Sequence, residues 1–243
     1  MDKLIRRIRS IYALVVFAIS AVLFPITLAM IYRCLWPNDE RRRYQMHCHL
    51  CNYFRWVKKV LPAVTFKLNS CGEDFSQPSI IISNHQSHLD LLSILTLSPK
   101  IVAVTNQWVW NFPLYSPVIR YLEFYPAADG LDTGEVHIKS LLDRGYSVLI
   151  FPEGTRSADC KVHKFHRGAF YLAERIGADI VPIFLETPGK ILPKEELCLY
   201  PGQINIHIKP RVNNDDESMG TNYREKSRFW HKYYLEWEAE LNS

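Results

Sequence analysis

The sequence has few of the features that mark disordered, fibrous or repetitive proteins. It contains only 10 glycines and 14 prolines in 243 residues, and 48% of its residues are hydrophobic. Such a composition excludes a collagen-like, coiled-coil or disordered chain. No internal repeat and no low-complexity linker divides the sequence. The length therefore suits one folded domain with a sizeable core.

The cysteines lack the regular spacing of a disulfide framework. In a chain of this length, six irregularly placed cysteines are typical of free thiols in a reducing compartment. The segment His47-Cys48-His49-Leu50-Cys51 contains residue types that bind zinc, but no second pair of ligands follows at a distance. We therefore predict no metal site. The six cysteines are Cys34, Cys48, Cys51, Cys71, Cys160 and Cys198.

Positive charge is concentrated at one end of the chain. The formal net charge is +4, and residues 1–43 alone hold eight basic and three acidic side chains. The remaining residues are close to neutral, with a balance of −1. A nucleic-acid-binding protein would spread its basic residues over the folded body, so we predict no nucleic-acid partner. A basic end beside an apolar segment is typical of contact with an anionic membrane surface.

An uncharged run of 22 residues occupies positions 11–32. As a helix it would be about 33 Å long, enough to cross the hydrocarbon core of a bilayer. Basic residues flank it on both sides, and Pro25 within it predicts a kink. We therefore expect residues 1–43 to anchor the protein in the membrane through a bent helix pair, with residues 44–243 forming a folded domain on the cytoplasmic face. A single straight span is the alternative, and a signal peptide would lack its usual cleavage site.

Short apolar strands and helices alternate along the rest of the chain, which indicates an α/β fold. We expect a single domain with a mixed, largely parallel sheet flanked by helices. The last predicted strand alternates cleanly and is typical of a sheet edge. The last helix carries an aromatic stripe that favours core packing over a membrane interface: Trp230, Tyr233, Tyr234 and Trp237. Predicted strands cover 79–83, 101–105, 146–151, 179–185 and 204–208; predicted helices cover 38–61, 89–97, 136–143, 169–176 and 223–241.

A polar cluster, Asn84-His85-Gln86-Ser87-His88-Leu89-Asp90, directly follows the first of these strands. Open α/β sheets form their binding sites at the carboxyl ends of strands. With His85 in the loop and Asp90 in the first turn of the next helix, the carboxylate can accept the Nδ1–H of the imidazole. That contact would fix the tautomer and raise the basicity of Nε2, so that the pair can take a proton from a hydroxyl. The alternative is a surface histidine near a capping aspartate.

A second cluster, Phe151-Pro152-Glu153-Gly154-Thr155-Arg156-Ser157, follows the strand at 146–151. It combines a carboxylate, a glycine, a hydroxyl and a guanidinium. Arg156 can bind a phosphate or carboxylate through two hydrogen bonds, and Glu153 can orient a hydroxyl or hold Arg156. The alternative is a turn with a surface ion pair. No G-x-S-x-G motif is present, which argues against a covalent serine route.

The two clusters together resemble the glycerolipid acyltransferases typified by 1-acylglycerol-3-phosphate acyltransferase. The first cluster is similar to the NHxxxxD motif of that family and the second to its FPEGTR motif, in the same order along the chain. Val181-Pro182-Ile183 resembles the short apolar-proline motif that follows. The resemblance extends over about 78–210, within the expected catalytic domain, and the family's N-terminal hydrophobic helices correspond to residues 11–32.

The resemblance implies acyl transfer from an acyl-thioester, either acyl-CoA or acyl carrier protein, to the hydroxyl of a lysophospholipid, with 1-acylglycerol-3-phosphate as the leading acceptor. It implies that His85 is the general base and that Asp90 orients it, with direct attack on the thioester. No further cofactor is expected. The residues that the resemblance assigns to substrate binding are Asn84, Glu153, Gly154, Thr155, Arg156 and Pro182.

One difference from the family leaves the acceptor open. Family members that act on 1-acylglycerol-3-phosphate usually carry a lysine and an arginine in an intermediate motif, and the corresponding stretches at 104–107 and 124–130 contain neither. Arg120, Arg156 or Arg167 could replace them; otherwise the acceptor is a less charged lysolipid, such as a lyso-aminolipid. Two other functions are also considered: a zinc hydrolase using His85, His88 and Asp90, and a non-catalytic membrane-binding scaffold.

Overall fold

The computed structural model describes residues 39–242, except 114 and 195–197, together with residues 8, 10–12 and 15. Most of the apolar segment 11–32 lies outside the described residues, so the bent helix pair stays a prediction. Within the described ranges, no helix combines the length and the apolar character needed to cross a bilayer.

The described residues form an α/β domain in which helices and strands alternate, as expected. Several predicted elements are confirmed to within two residues, and the strand at 101–105 and the helix at 223–241 match at both ends. The strands are β1 (Val64–Ser70), β2 (Ile80–Ser83), β3 (Ile101–Thr105), β4 (Tyr125–Pro126), β5 (Ser147–Ile150), β6 (Ile180–Glu186) and β7 (Gly202–Ile208). The α-helices are α1 (Glu40–Val60), α2 (Leu89–Leu95), α3 (Gln107–Asn111), α4 (Ser116–Tyr121), α5 (Leu131–Asp143), α6 (Gly168–Ile176), α7 (Pro188–Ile191) and α8 (Tyr223–Leu241).

In the part of the chain that the structure describes, seven strands form one sheet in the order β1-β7-β6-β2-β5-β3-β4. Neighbouring strands are parallel except β6 and β7, which are antiparallel. The mixed, largely parallel sheet is therefore confirmed. Because β2 pairs in parallel with both β5 and β6, the carboxyl ends of these three strands lie at one edge of the sheet.

The centre of the sheet is apolar on both faces. Ile80, Ile81 and Ile82 of β2 are completely buried, which is why this strand reads as a continuous apolar run. Burial of each such side chain stabilises the fold by about 1.5–3 kcal/mol. Helix α8 adds Trp230, Tyr234 and Trp237 to this core, so the aromatic stripe is a packing surface. The hydroxyl of Tyr234 donates to the carbonyls of Ile82 (2.8 Å) and Ile183 (2.9 Å), which lie on adjacent strands.

Two predictions about the fold are wrong. Strand β7 is not at the edge, because β1 pairs with it on its outer side. The sequence of β1 does not show this, since Leu68 is 53% exposed and the strand lacks a clean apolar face. Helix α5 begins five residues before the predicted start at 136. Gly134 lies inside it because a Cβ there would be 3.1 Å from the ring of Tyr125, so a close helix–strand approach, not a turn, requires this glycine.

Replacing Tyr234 by phenylalanine should destabilise the domain by about 1 kcal/mol, because the buried hydroxyl is lost while the ring packing is kept. The measurement is the urea midpoint of the two proteins. Tyr233→Phe, on the same helix but half-buried, is the matched control and should shift the midpoint much less. Equal effects of the two changes would contradict the role given to the Tyr234 hydroxyl.

Candidate active site

The two polar clusters meet at the carboxyl edge of the sheet. Residues 84–90 leave the end of β2, and residues 151–157 leave the end of β5, which is its parallel neighbour. Parallel pairing therefore brings together two segments that are more than sixty residues apart in sequence. This is the location that the fold class favours for a binding site.

His85 and Asp90 form the contact that their spacing predicts. His85 lies in the loop and Asp90 in the first turn of α2, and the His85 Nδ1 to Asp90 Oδ2 distance is 2.7 Å. The same oxygen accepts the backbone N–H groups of Gln86 (2.6 Å) and Ser87 (2.8 Å), and the aspartate is fully buried. With the Nδ1 proton directed at Asp90, Nε2 carries the lone pair and can accept a proton. The contact joins the two side chains directly, as the predicted pair requires, while the role of His85 as a base stays a prediction.

The ring of His85 is also held by packing. It stacks on the ring of Phe151, with centroids 4.0 Å apart and planes inclined by 16°. Phe151 begins the second cluster, so the two clusters are in direct contact. No local pattern predicts that this aromatic residue lies against the imidazole, because the contact joins segments that follow different strands.

Glu153 holds the backbone of His85. One carboxylate oxygen accepts the His85 N–H (2.9 Å) and the other accepts the His163 N–H (3.2 Å). The His85 carbonyl in turn accepts the N–H of Ser157 at 2.7 Å. Glu153 is only 4% exposed, and burial raises its pKa to about 7. The second cluster thus fixes His85 from both sides, whereas binding of substrate by Glu153 stays a prediction.

Asn84 and Pro182 occupy structural positions beside the site. The Asn84 side chain donates to the Leu185 carbonyl (2.9 Å) and accepts the Leu185 N–H (2.7 Å), so its amide continues the pairing of β2 with β6. Pro182 lies within β6, opposite Ile82. Their assignment to substrate binding comes from the family resemblance and stays a prediction.

A cavity of about 520 Å³ extends from His85 into the domain. Its volume lies in the range of small-molecule sites. Polar side chains are gathered near His85, whereas α1, α2, β3, α3 and α4 contribute mainly apolar ones. The polar side chains include His85, His88, Arg156 and His166; the apolar ones include Leu50, Phe54, Leu92, Val104, Val109, Ile119 and Phe124. The shape suits a long apolar chain attached to a polar group.

Gly154 and Arg156 both line this cavity, while Thr155 is exposed outside it. Gly154 has a φ of +69°, and a Cβ there would be 3.2 Å from His166 Cδ2, so glycine is required at this turn. His166 is a site residue that sequence reasoning missed. It follows no strand, and only the fold brings it beside Gly154.

The residues considered as zinc ligands in the sequence, His88, His47 and Cys51, lie in surroundings of different kinds. Burial, followed by the charge of Arg156, lowers the pKa of His88 to about 4, so this cavity residue is neutral at pH 7. Burial lowers the pKa of His47 to about 3, and Cys51 Sγ contacts the Thr96 carbonyl at 3.7 Å. Among the residues that the structure covers, no three His, Cys, Asp or Glu side chains are arranged to hold a metal ion.

Comparison with known proteins gives one consistent family. A family model described as Acyltransferase matches residues 53–186. The chain is 25% identical to a 1-acyl-sn-glycerol-3-phosphate acyltransferase of Pseudomonas aeruginosa over 220 residues, which cover 88% of this chain and 84% of that protein. It is 28% identical to a chloroplastic protein of that activity, LPAT1 of Arabidopsis thaliana, over 87% of this chain and 61% of the relative. A Chlamydomonas reinhardtii relative of the same description is 35% identical over 54% of this chain and 41% of its own.

The chain spans 61% and 41% of the lengths of the Arabidopsis and Chlamydomonas proteins. The crystal structure of the 1-acyl-sn-glycerophosphate acyltransferase PlsC from Thermotoga maritima superimposes with a TM-score of 0.81 and covers 100% of this chain and 98% of that one. At 20% sequence identity, that likeness establishes the fold.

Ionisation of Glu153 should lower stability as pH rises. Its pKa is about 7 in the folded protein against the ordinary 4.5, so between these values the folded state holds a proton that the unfolded state has lost. The free energy of unfolding therefore falls with rising pH across this window. Glu153→Gln resembles the protonated side chain and does not ionise. From pH 4.5 to pH 7 the native protein should lose about 3 kcal/mol of stability relative to the variant.

Urea unfolding of both proteins at several pH values measures this difference. Glu236→Gln, which removes an exposed glutamate on α8, is the matched control for the loss of one carboxylate. A constant difference between native protein and Glu153→Gln would show that Glu153 does not titrate in this window.

Proposed function

The chain belongs to the acyltransferase family, and we propose that it transfers a fatty acyl group from an acyl-thioester to the free hydroxyl of a membrane lysophospholipid. The leading acceptor is 1-acylglycerol-3-phosphate, the substrate named in the descriptions of its relatives. The donor is acyl-CoA or acyl carrier protein. The protein would be membrane-associated through residues 1–43, with its catalytic domain on the cytoplasmic face.

One observation carries this proposal: an imidazole whose Nδ1 is bound to a buried carboxylate lies at the polar end of an apolar cavity. A general base must reach the proton that it removes, and it must be held in the correct tautomer. The cavity next to it supplies an apolar environment for an acyl chain, and each buried methylene contributes about 0.8 kcal/mol. A base at the end of an apolar cavity is what acyl transfer between lipids requires.

The acceptor attacks the thioester directly, with no acyl-enzyme, in an addition followed by an elimination. His85 Nε2 accepts the proton of the acceptor hydroxyl while that oxygen attacks the thioester carbonyl carbon. The C–O bond forms, the tetrahedral intermediate collapses, and the C–S bond breaks. The imidazolium then returns the proton to the departing thiolate. Asp90 stabilises the transient positive charge and keeps Nδ1 protonated throughout.

Arg156 is the cation placed to bind the acceptor. It lines the cavity together with His88 and His166, and an arginine stays protonated under all ordinary conditions. Its backbone carbonyl accepts the Lys194 Nζ–H at 2.7 Å, which restrains the turn that carries it. A guanidinium can bind two phosphate oxygens at once. Val104 and Ala127 leave the adjoining wall neutral, so Arg156 is the main phosphate contact in this proposal.

Removal of the base should abolish transfer. His85→Ala should lower the rate roughly 10²–10⁴-fold, the usual contribution of general base catalysis. Asp90→Asn should cause a comparable loss because the imidazole is no longer held in the required tautomer. The assay follows labelled acyl-CoA or acyl carrier protein with reconstituted protein, and His49→Ala, an exposed histidine on α1, is the control. Full transfer by His85→Ala would contradict the role of His85 as the base, whereas no transfer by the native protein would favour a non-catalytic scaffold.

The acceptor is tested with a panel of lysophosphatidic acid, other lysophospholipids and lyso-aminolipids. We expect lysophosphatidic acid to be acylated, with Arg156→Ala raising KM for this acceptor by tenfold or more because a charged contact to phosphate is lost. Turnover of a lyso-aminolipid alone would indicate that the neutral wall at Val104 and Ala127 selects an acceptor with a less charged headgroup. Hydrolysis without transfer, abolished by a chelator, would instead favour a metal-dependent hydrolase.

A further inference from the structure

A cluster of aromatic side chains lies on the surface that follows β3. We define the aromatic rim as Trp108, Trp110, Phe112 and Tyr115. No residue of α3 is buried, and Trp108 is 60% exposed. The ring of Phe112 lies 5.2 Å from that of Trp108 and 5.1 Å from that of Tyr115, so these three rings form one cluster. Trp110, Phe112 and Tyr115 are half-buried, and Trp108 extends from them into solvent. A contiguous apolar surface that reaches solvent is typical of a site that contacts a lipid or another protein.

The segment that carries the aromatic rim has a net charge of +1. Residues 106–122 include no aspartate or glutamate, and their one charged side chain is Arg120. Its guanidinium carbon lies 4.4 Å from the centre of the Trp110 ring. The next acidic residue, Glu123, is paired with Arg43 (3.2 Å) and Arg144 (2.6 Å) and so is neutralised by them. Nothing on this segment repels an anionic surface.

The aromatic rim borders an opening of the cavity. Trp108, Val109 and Tyr115 line the cavity, and Trp108 is also largely exposed to solvent. A side chain that does both stands where the cavity meets the surface. Leu50 and Phe54 of α1 line the same cavity, and α1 begins at Glu40, directly after the residues expected to anchor the chain. The helix that follows the expected anchor and the aromatic rim therefore both line one cavity.

We propose that the aromatic rim is a lipid-contacting surface that lies at the headgroup level of the bilayer and passes an acyl chain from the bilayer into the cavity. Tryptophan and tyrosine favour this depth because their rings are apolar and their N–H or O–H groups remain hydrated. Arg120 meets lipid phosphates at the same level. That an acyl chain occupies the cavity rests on the proposed function. That the rim contacts the bilayer does not depend on it.

Two other occupants fit the rim less well. An acidic carrier protein would need several cations for charge complementarity, and the segment 106–122 offers one. A second copy of the chain would offer Arg120 no carboxylate on the same segment to pair with, because 106–122 contains no aspartate or glutamate.

The test uses the depth of Trp108 in a bilayer. The full chain is added to vesicles of phosphatidylcholine and phosphatidylglycerol whose acyl chains carry bromine near the glycerol, which quenches tryptophan fluorescence on contact. The chain has six tryptophans, so the emission of one is obtained by subtracting the spectrum of a variant that lacks it. Trp108→Phe reports Trp108, and Trp56→Phe reports a matched tryptophan that is 51% exposed on α1.

We expect brominated vesicles to quench the Trp108 emission at least twofold more than the Trp56 emission, relative to vesicles without bromine. Equal quenching of the two, or none at Trp108, would overturn the proposal. Failure to quench together with a doubled mass in solution that Phe112→Ser abolishes would assign the rim to a second copy. The readout needs no turnover, so an absence of acyl transfer with every acceptor would overturn the proposed function and leave this result unchanged.

Discussion

The Oδ2 atom of Asp90 accepts three hydrogen bonds, from the His85 ring and from the backbone N–H groups of Gln86 and Ser87. A fully buried carboxylate is costly unless its charge is satisfied in this way. The two backbone donors belong to the loop that carries His85, so the oxygen that orients the imidazole also shapes the loop. One atom therefore contributes both to the orientation of the His85 ring and to the shape of its loop.

The sheet makes this arrangement rigid. Parallel pairing of β2 with β5 places the second cluster against the first, where Glu153 and Ser157 bind the N–H and the carbonyl of His85. On the other side of β2, the Asn84 amide extends the pairing to Leu185. Helix α8 supports both regions, since Tyr234 binds two sheet carbonyls and Glu238 accepts the Val162 N–H at 3.1 Å. The base is thus held by elements from most of the chain.

The apolar and polar parts of the cavity offer different kinds of contact. A long apolar cavity binds a chain through many weak contacts that do not specify position along it. In the proposed function, His85 and Arg156 at the polar end of this cavity supply the directional contacts that position the reacting groups. The aromatic rim at the opening is consistent with a substrate that never leaves an apolar environment completely. In this proposal the apolar cavity binds the acyl chain, its polar end positions the reacting groups, and the aromatic rim admits the chain.

The sequence by itself determined the local chemistry. The spacing of His85 and Asp90 across a helix start, the α/β alternation and the packing role of Trp230, Tyr234 and Trp237 are all set by residues close together in the chain, where periodicity and capping act. Only the tertiary structure decided that β1 covers β7, that Glu153 holds the His85 backbone, and that His166 lies beside Gly154. These contacts join segments far apart in sequence, and their partners are chosen by strand order and packing, which no local pattern encodes.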